Sequence, residues 1–121
     1  MGLFSATEVD TDEIARRYAA LLLDGEEVLI AFKTVRDIAF LTDRRLCLVN
    51  IQGWVGKKVS IQSIPYRSIT RFSLETAGTF DLEADMVFWL AGAAQPLEIK
   101  IGRGSNLTMI QQVLAHGILR R

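Results

Sequence analysis

Along the chain the spacing of apolar residues changes twice, from a helical period to a period of two and back again. The first helical stretch runs from Asp10 to Leu23. Asp10 and Glu13 stand at capping-box spacing, Val9 and Ile14 are placed to close a hydrophobic staple over them, and Gly25 supplies a left-handed stop after Leu23. Ile14, Tyr18, Leu21 and Leu22 fall on one face, while Arg16, Arg17 and Ala20 point elsewhere. The pattern predicts an amphipathic helix docked on another element.

From Glu27 the period becomes two and holds through seven short runs separated by turn residues, the signature of an antiparallel all-β domain. The dry faces read Val28, Ile30, Phe32; Ile38, Phe40; Leu46, Leu48; Val59, Ile61; Thr70, Phe72, Leu74; Leu82, Ala84, Met86, Phe88, Leu90; and Leu97, Ile99, Ile101. Arg71, Ser73, Glu75, Glu83, Asp85, Glu98 and Lys100 occupy the alternate positions, so one sheet face is expected to be wet. The connections agree. Thr42 to Arg45 reads as a tight hairpin, Gly53-Trp54-Val55-Gly56 as a glycine-bracketed loop, and Pro65 and Pro96 fall at strand edges, where a missing N–H does no harm.

After Gly102 and Gly104 the helical period returns, with Leu107, Ile110, Val113, Leu114 and Ile118 in one stripe and Ser105 or Asn106 as N-cap. A twisted antiparallel sheet buries its dry face by curling on itself, and a one-sided helix can plug the open end. The expectation is a mainly β, seven-stranded antiparallel barrel at 27–121, capped by a C-terminal α-helix, with an N-terminal helix and lead-in at 1–26. Phe40, Leu48, Phe72, Met86, Phe88, Ile99, Ile110 and Leu114 are expected to form one contiguous core.

Composition narrows the functional classes. The 121 residues, half of them hydrophobic, suit one domain with its own core. Fourteen basic and fourteen acidic residues cancel, which argues against the broad positive field of a nucleic-acid binder. The single cysteine, Cys47, lies in the apolar run Leu46 to Val49 and reads as a small buried hydrophobe; with no internal disulfide available, a reducing, cytoplasmic setting is expected. Met1 to Asp12 lacks the basic and apolar regions of a secretory signal, and no apolar stretch is long enough to span a bilayer.

The order of elements resembles the pleckstrin-homology superfold, in which seven strands form two near-orthogonal sheets of four and three and a C-terminal helix closes one end. More narrowly, Phe40-Leu41-Thr42-Asp43-Arg44-Arg45-Leu46 resembles a hairpin of bacterial pleckstrin-homology domain proteins. The stretches Tyr66 to Ser73 and Ala77 to Asp81 are similar to the fifth-strand region of that group, and Asn106 to Ala115 to its closing helix. The resemblance implies a cytoplasmic, non-enzymatic domain with a tendency to form homo-oligomeric rings. It does not carry over a phosphoinositide site, because Lys33-Thr34-Val35-Arg36 offers only two cations where lipid-binding relatives hold several.

Candidate chemistry is sparse. His116, the only histidine, sits beside Gly117 in the closing helix, where a solvated or capping role is the simpler reading. No zinc spacing, phosphate-loop glycine pattern or dinucleotide fingerprint occurs, so no catalytic residue, metal or cofactor is assigned. Asp81, Glu83 and Asp85 alternate along one strand; a solvated row paired across the ladder with Arg71 fits them better than a calcium site, which needs a loop to bend its ligands inward.

Two surfaces stand out. Trp54, beside Lys57 and Lys58 and on the same end as Lys33 and Arg36 in the pleckstrin-homology arrangement, makes a candidate rim for an anionic ligand or membrane lipid. Charge is also segregated along the chain: 28–71 carry eight bases and two acids, and 72–99 carry five acids and no base. If those segments form separate sheets, Arg44, Arg45, Arg67 or Arg71 of one copy can face Glu83, Asp85 or Glu98 of the next. The leading expectation is therefore a scaffold that binds itself and a protein partner, with a peripheral membrane sensor as the alternative.

Overall fold

The computed structural model describes residues 6–34, 36–52, 58–76, 83–102 and 105–119. Among these residues, eight strands form two antiparallel sheets. The larger holds β1 (Thr7–Val9), β2 (Val28–Lys33), β3 (Ile38–Thr42), β4 (Arg45–Gln52) and β5 (Lys58–Pro65) in that order, and the smaller holds β6 (Ile69–Thr76), β7 (Ala84–Leu90) and β8 (Leu97–Ile101). Helix α1 (Thr11–Arg17) follows β1, and helix α2 (Leu107–Ile118) ends the described chain.

The seven strands read from alternation are all present, and β1 is an eighth. It carries only three residues, too few for a period to register, and it is held by backbone pairing: Thr7 lies opposite Lys33 and Val9 opposite Ala31. Just before it, the Ala6 N–H donates to the Lys100 carbonyl and the Ala6 carbonyl accepts from Gly102 N–H, both at 2.8 Å, tying the two sheets together at one corner. At the opposite corner no ladder joins β5 to β6, because the chain turns through a single 3-10 turn at Tyr66–Ser68 into the second sheet. The result is a sandwich rather than a closed barrel.

Register sorts the core into two clusters on opposite faces of the larger sheet. Between the sheets lie Ile30, Phe32, Leu41, Leu46, Leu48, Ile64, Met86, Phe88 and Ile101, sealed at one end by Ile110 and Leu114 of α2. Asn106 caps α2 by accepting from Met109 N–H at 3.0 Å. Phe72 and Ile99 are partly buried and pack against this core. Phe40 does not join it. With Ala31, Ile38, Cys47 and Val49 it points to the outer face, where Ile14, Tyr18 and Leu22 cover it. Tyr18 stacks on Phe40 with ring centroids 5.9 Å apart. The inner strands of this sheet are therefore buried on both faces, which is why Ile38 to Leu41 and Leu46 to Val49 read as continuous apolar runs.

The helix that covers that face is shorter than its pattern. Asp10 is the N-cap and accepts from Asp12 N–H at 3.2 Å, but α1 ends at Arg17, and Ala19–Leu21 forms a 3-10 turn. Gly25 has the expected positive φ, +84°, yet it serves the turn into β2 and not the helix end. The backbone there has other partners: Leu21 C=O accepts from Arg45 and Leu23 N–H donates to Glu26.

On β5 the expected phase is reversed. Leu46 lies opposite Ile64 and Leu48 opposite Gln62, so the even-numbered residues of β5 take the inner phase; Ile64 is buried there, while Lys58, Ser60 and Gln62 stay exposed toward the strand's start. Val59 and Ile61 point outward, beyond the reach of α1, and are 51% and 49% exposed.

Candidate interaction surfaces

The most tightly knit polar group lies at the β3–β4 hairpin. Glu26 and Thr42 are its buried polar residues. The Glu26 carboxylate accepts from Arg45 Nη2 at 2.6 Å, Arg45 Nε at 2.8 Å, Thr42 Oγ1 at 2.6 Å and Leu23 N–H at 2.9 Å. The forked Arg45 contact outweighs burial and holds the Glu26 carboxyl down at about 2. Arg45 also donates to Leu21 C=O at 2.7 Å and to Ser63 Oγ at 3.0 Å. Thr42 Oγ1 accepts from Arg44 N–H and Arg45 N–H, closing the turn. Tyr66 adds the last link, donating to Thr42 C=O at 2.6 Å; burial raises its phenol pKa. Thus the motif Thr42 to Arg45 fastens the strand of chain after α1 to the sheet and to Tyr66. Arg45 spends its guanidinium inside the protomer, a role that its sequence position, nineteen residues from Glu26, does not signal.

The remaining charged candidates do not divide into one positive and one negative sheet face. Over β2 to β4 the outer face of the larger sheet is covered by α1, whose first turn carries Asp12 and Glu13. Arg71 belongs to the smaller sheet, where its guanidinium lies 4.0 Å from the centroid of Trp89, its cross-strand neighbour. Asp85 pairs not with Arg71 but with Lys100 on the other side, at 2.9 Å, and this contact raises the Lys100 pKa. Arg71, Asp85 and Glu98 thus share one outer face, because they sit at the same phase of neighbouring strands. Arg44 reaches Asp43 at 3.8 Å in the exposed hairpin, and Arg67 and Glu83 are exposed.

Of the rim candidates, Lys33 ends β2 and Lys58 begins β5, at the same end of the larger sheet, and both are exposed with Arg36. Trp54 and Lys57 lie outside the described residues, as does Asp81. Near this end a cleft of about 790 Å³ opens between the sheets, floored by Phe32, Leu48, Leu97 and Ile99. Its rim mixes signs, with Arg36 and Lys100 beside Asp37, Asp85 and Glu98. Cys47 is buried, and desolvation raises its thiol pKa. Among the described residues no group of three His, Cys, Asp or Glu side chains comes together.

Among the described residues β5 is the edge of the larger sheet and its ladder pairing runs to β4 alone; no charged residue occurs from Val59 through Pro65.

The family model for the bacterial PH domain matches residues 1–118. The chain belongs to the bacterial pleckstrin-homology family. YjqA of Bacillus subtilis (strain 168) is 46% identical over 114 residues, covering 93% of this chain and 91% of that protein. A protein with a pleckstrin-homology domain from Shewanella loihica PV-4 superposes with a TM-score of 0.84 at 38% identity, covering 94% of this chain and 97% of the other. A pleckstrin-homology domain from Shewanella amazonensis SB2B gives a TM-score of 0.70 at 42% identity, covering 98% and 94%. In this pleckstrin-homology domain the β3–β4 hairpin that carried the resemblance is the one fastened by Glu26 and Tyr66. No helix among its described residues is long and apolar enough to cross a membrane.

Proposed function

We propose that this bacterial pleckstrin-homology domain is a non-enzymatic binding module that associates with copies of itself and serves as a scaffold for a protein partner. The observation that carries the reading is the edge strand β5. Val59 and Ile61 stand half exposed, side by side on one face of a strand whose one charged residue is Lys58 at its start and whose outer backbone edge has no strand beside it among the described residues. Apolar side chains on an unprotected edge favour association, and natural sheets that stay monomeric place charge, proline or a bulge there. Proline occurs on β5 only at its last residue. Light scattering at micromolar concentration and low salt should return a multiple of the protomer mass. A protomer mass under those conditions overturns the reading.

A second reading, contact with an anionic membrane, draws support from Lys33 and Lys58, exposed at the same end of the larger sheet. It requires co-sedimentation with anionic vesicles at low salt and none with neutral vesicles.

A further inference from the structure

At the corner tied by Ala6, the described residues leave β8 bridged at one end and open along the rest. We infer that β8 takes up an extended peptide of a protein partner as an added parallel strand, laid in the cleft between Ala6 and the open end of the sandwich; the inference rests on the binding of a protein partner proposed above.

Three observations lead there. First, the backbone edge of β8 is used only beside Ile101. Ala6 pairs with Ile101 in parallel, Ala6 N–H donating to Lys100 C=O and Gly102 N–H to Ala6 C=O, both at 2.8 Å. Backbone groups of alternate residues point to the same side of a strand, so the Glu98 carbonyl and the N–H groups of Glu98 and Lys100 point to that edge too. Leu97 and Ile99 turn theirs toward β7. Among the described residues no strand lies beside Leu97 to Lys100 on the other side.

Second, the space along that edge is the cleft. Leu97 to Lys100 line one side of it, Thr34 and Arg36 the other, and Phe32 and Leu48 lie beneath. Its volume of about 790 Å³ falls in the roughly 300–1,000 Å³ range of clefts that bury most of a ligand. A chain laid there gains main-chain hydrogen bonds from β8 and buries every second side chain, which is how an extended peptide augments a sheet.

Third, phase and charge define the peptide. Ala6, opposite Ile101, is buried between the sheets, so residues set opposite Ile99 and Leu97 face the same interior, onto Phe32 and Leu48. Both positions call for apolar side chains. The residue between them stands opposite Glu98, on the outer face. Among the described residues the rim carries three carboxylates against two cations; Lys100 is matched by Asp85 at 2.9 Å and Arg36 is followed by Asp37, so the negative balance falls on Glu98. A lysine or arginine fits there. The recognised pattern is therefore apolar, basic, apolar in an extended segment, and Pro96, with no N–H to offer, ends the usable edge.

Residue-resolved amide exchange on the full chain tests this with the synthetic peptide acetyl-Thr-Val-Arg-Val-Thr-amide. At millimolar concentration the peptide should slow exchange of the Glu98 and Lys100 amides several-fold and leave those of Leu97 and Ile99, already turned to β7, unchanged. Glu98→Lys should weaken binding several-fold, and the same peptide with glutamate in place of arginine should bind this variant better than the wild type. Equal binding of the first peptide by wild type and Glu98→Lys overturns the register. Protection that falls on another strand overturns the β8 site and leaves protein binding standing. No protection on any strand overturns the site and removes its support for a protein partner. Glu98 and Lys100 amides that exchange slowly without peptide mean that the edge is already covered, by residues 1–5 of this chain or by a second copy, and overturn the site as well.

Discussion

Replacing Glu26 by glutamine removes the negative centre of the hairpin network while keeping the shape of the side chain. In the wild type this carboxylate is fully covered and receives both arms of the Arg45 fork, the Thr42 hydroxyl and Leu23 N–H. Two routes give the size of the loss. Removing one partner of a buried ion pair costs about 3–5 kcal/mol. The drop of the Glu26 pKa from 4.5 to about 2 corresponds to about 3 kcal/mol of preference for the ionised form in the folded state. The second route fixes the pH dependence as well. A carboxyl whose folded pKa is depressed contributes its full stability above the unfolded value, 4.5, and loses it as pH falls toward 2, because in that window the unfolded chain binds the proton and the folded chain does not. Urea unfolding followed by tryptophan fluorescence should show Glu26→Gln less stable by about 3 kcal/mol at pH 7, with the gap falling by about half at pH 3. A loss below about 1 kcal/mol at pH 7, or a gap that does not change between the two pH values, would refute the assignment of this network as the clamp on the segment before β2.

Three further perturbations probe the packing. Phe88, fully buried in the core between the sheets, should cost about 3–5 kcal/mol on truncation to alanine, read as a shift of the urea midpoint at unchanged slope. Gly117→Ala would set a methyl 2.6 Å from Cε2 of the buried Tyr66 ring, which is anchored through its hydroxyl to Thr42; a loss of about 1–3 kcal/mol in calorimetric melts is expected, with helix propensity acting in the opposite direction. Ile14→Ala should uncover the outer face of the larger sheet, so that amide exchange quickens in α1 while the β6–β8 ladders keep their protection.

Much of this fold is written in one-dimensional periodicity. The alternation in Ala84 to Leu90 and Leu97 to Ile101 places Met86, Phe88 and Ile101 inward as observed; it is clean in Leu97 to Ile101, whereas in Met86 to Leu90 the apolar run is unbroken and Val87, on the opposite phase, is buried as well. The stripe Ile110, Leu114 likewise fixes the buried side of α2, and Asn106 is one of the two caps that the pattern offers. Even the two-sided burial of β3 and β4 left a trace in their unbroken apolar runs, although alternation alone assigns Phe40 to the inner core.

Other features depend on contacts distant along the chain. The three residues of β1 have no period to detect and exist through backbone pairing with β2. Val59 and Ile61 read as dry because valine and isoleucine alternate there, but the register with β4 gives the inner phase to Gln62 and Ile64, of which Ile64 is buried, and the position of β5 at an edge lets its apolar residues face solvent. Charge counted by segment also misleads: Arg45 lies in the most basic stretch, yet Glu26 draws it inside, and Arg71 shares a sheet face with Asp85 and Glu98. Which residues alternate, where the chain turns and which helix face is apolar can all be read along the chain, since each depends on neighbours a few positions away. Which side of each strand is inside, which strand lies at an edge and which ion pairs form follow instead from what a distant segment packs against the strand.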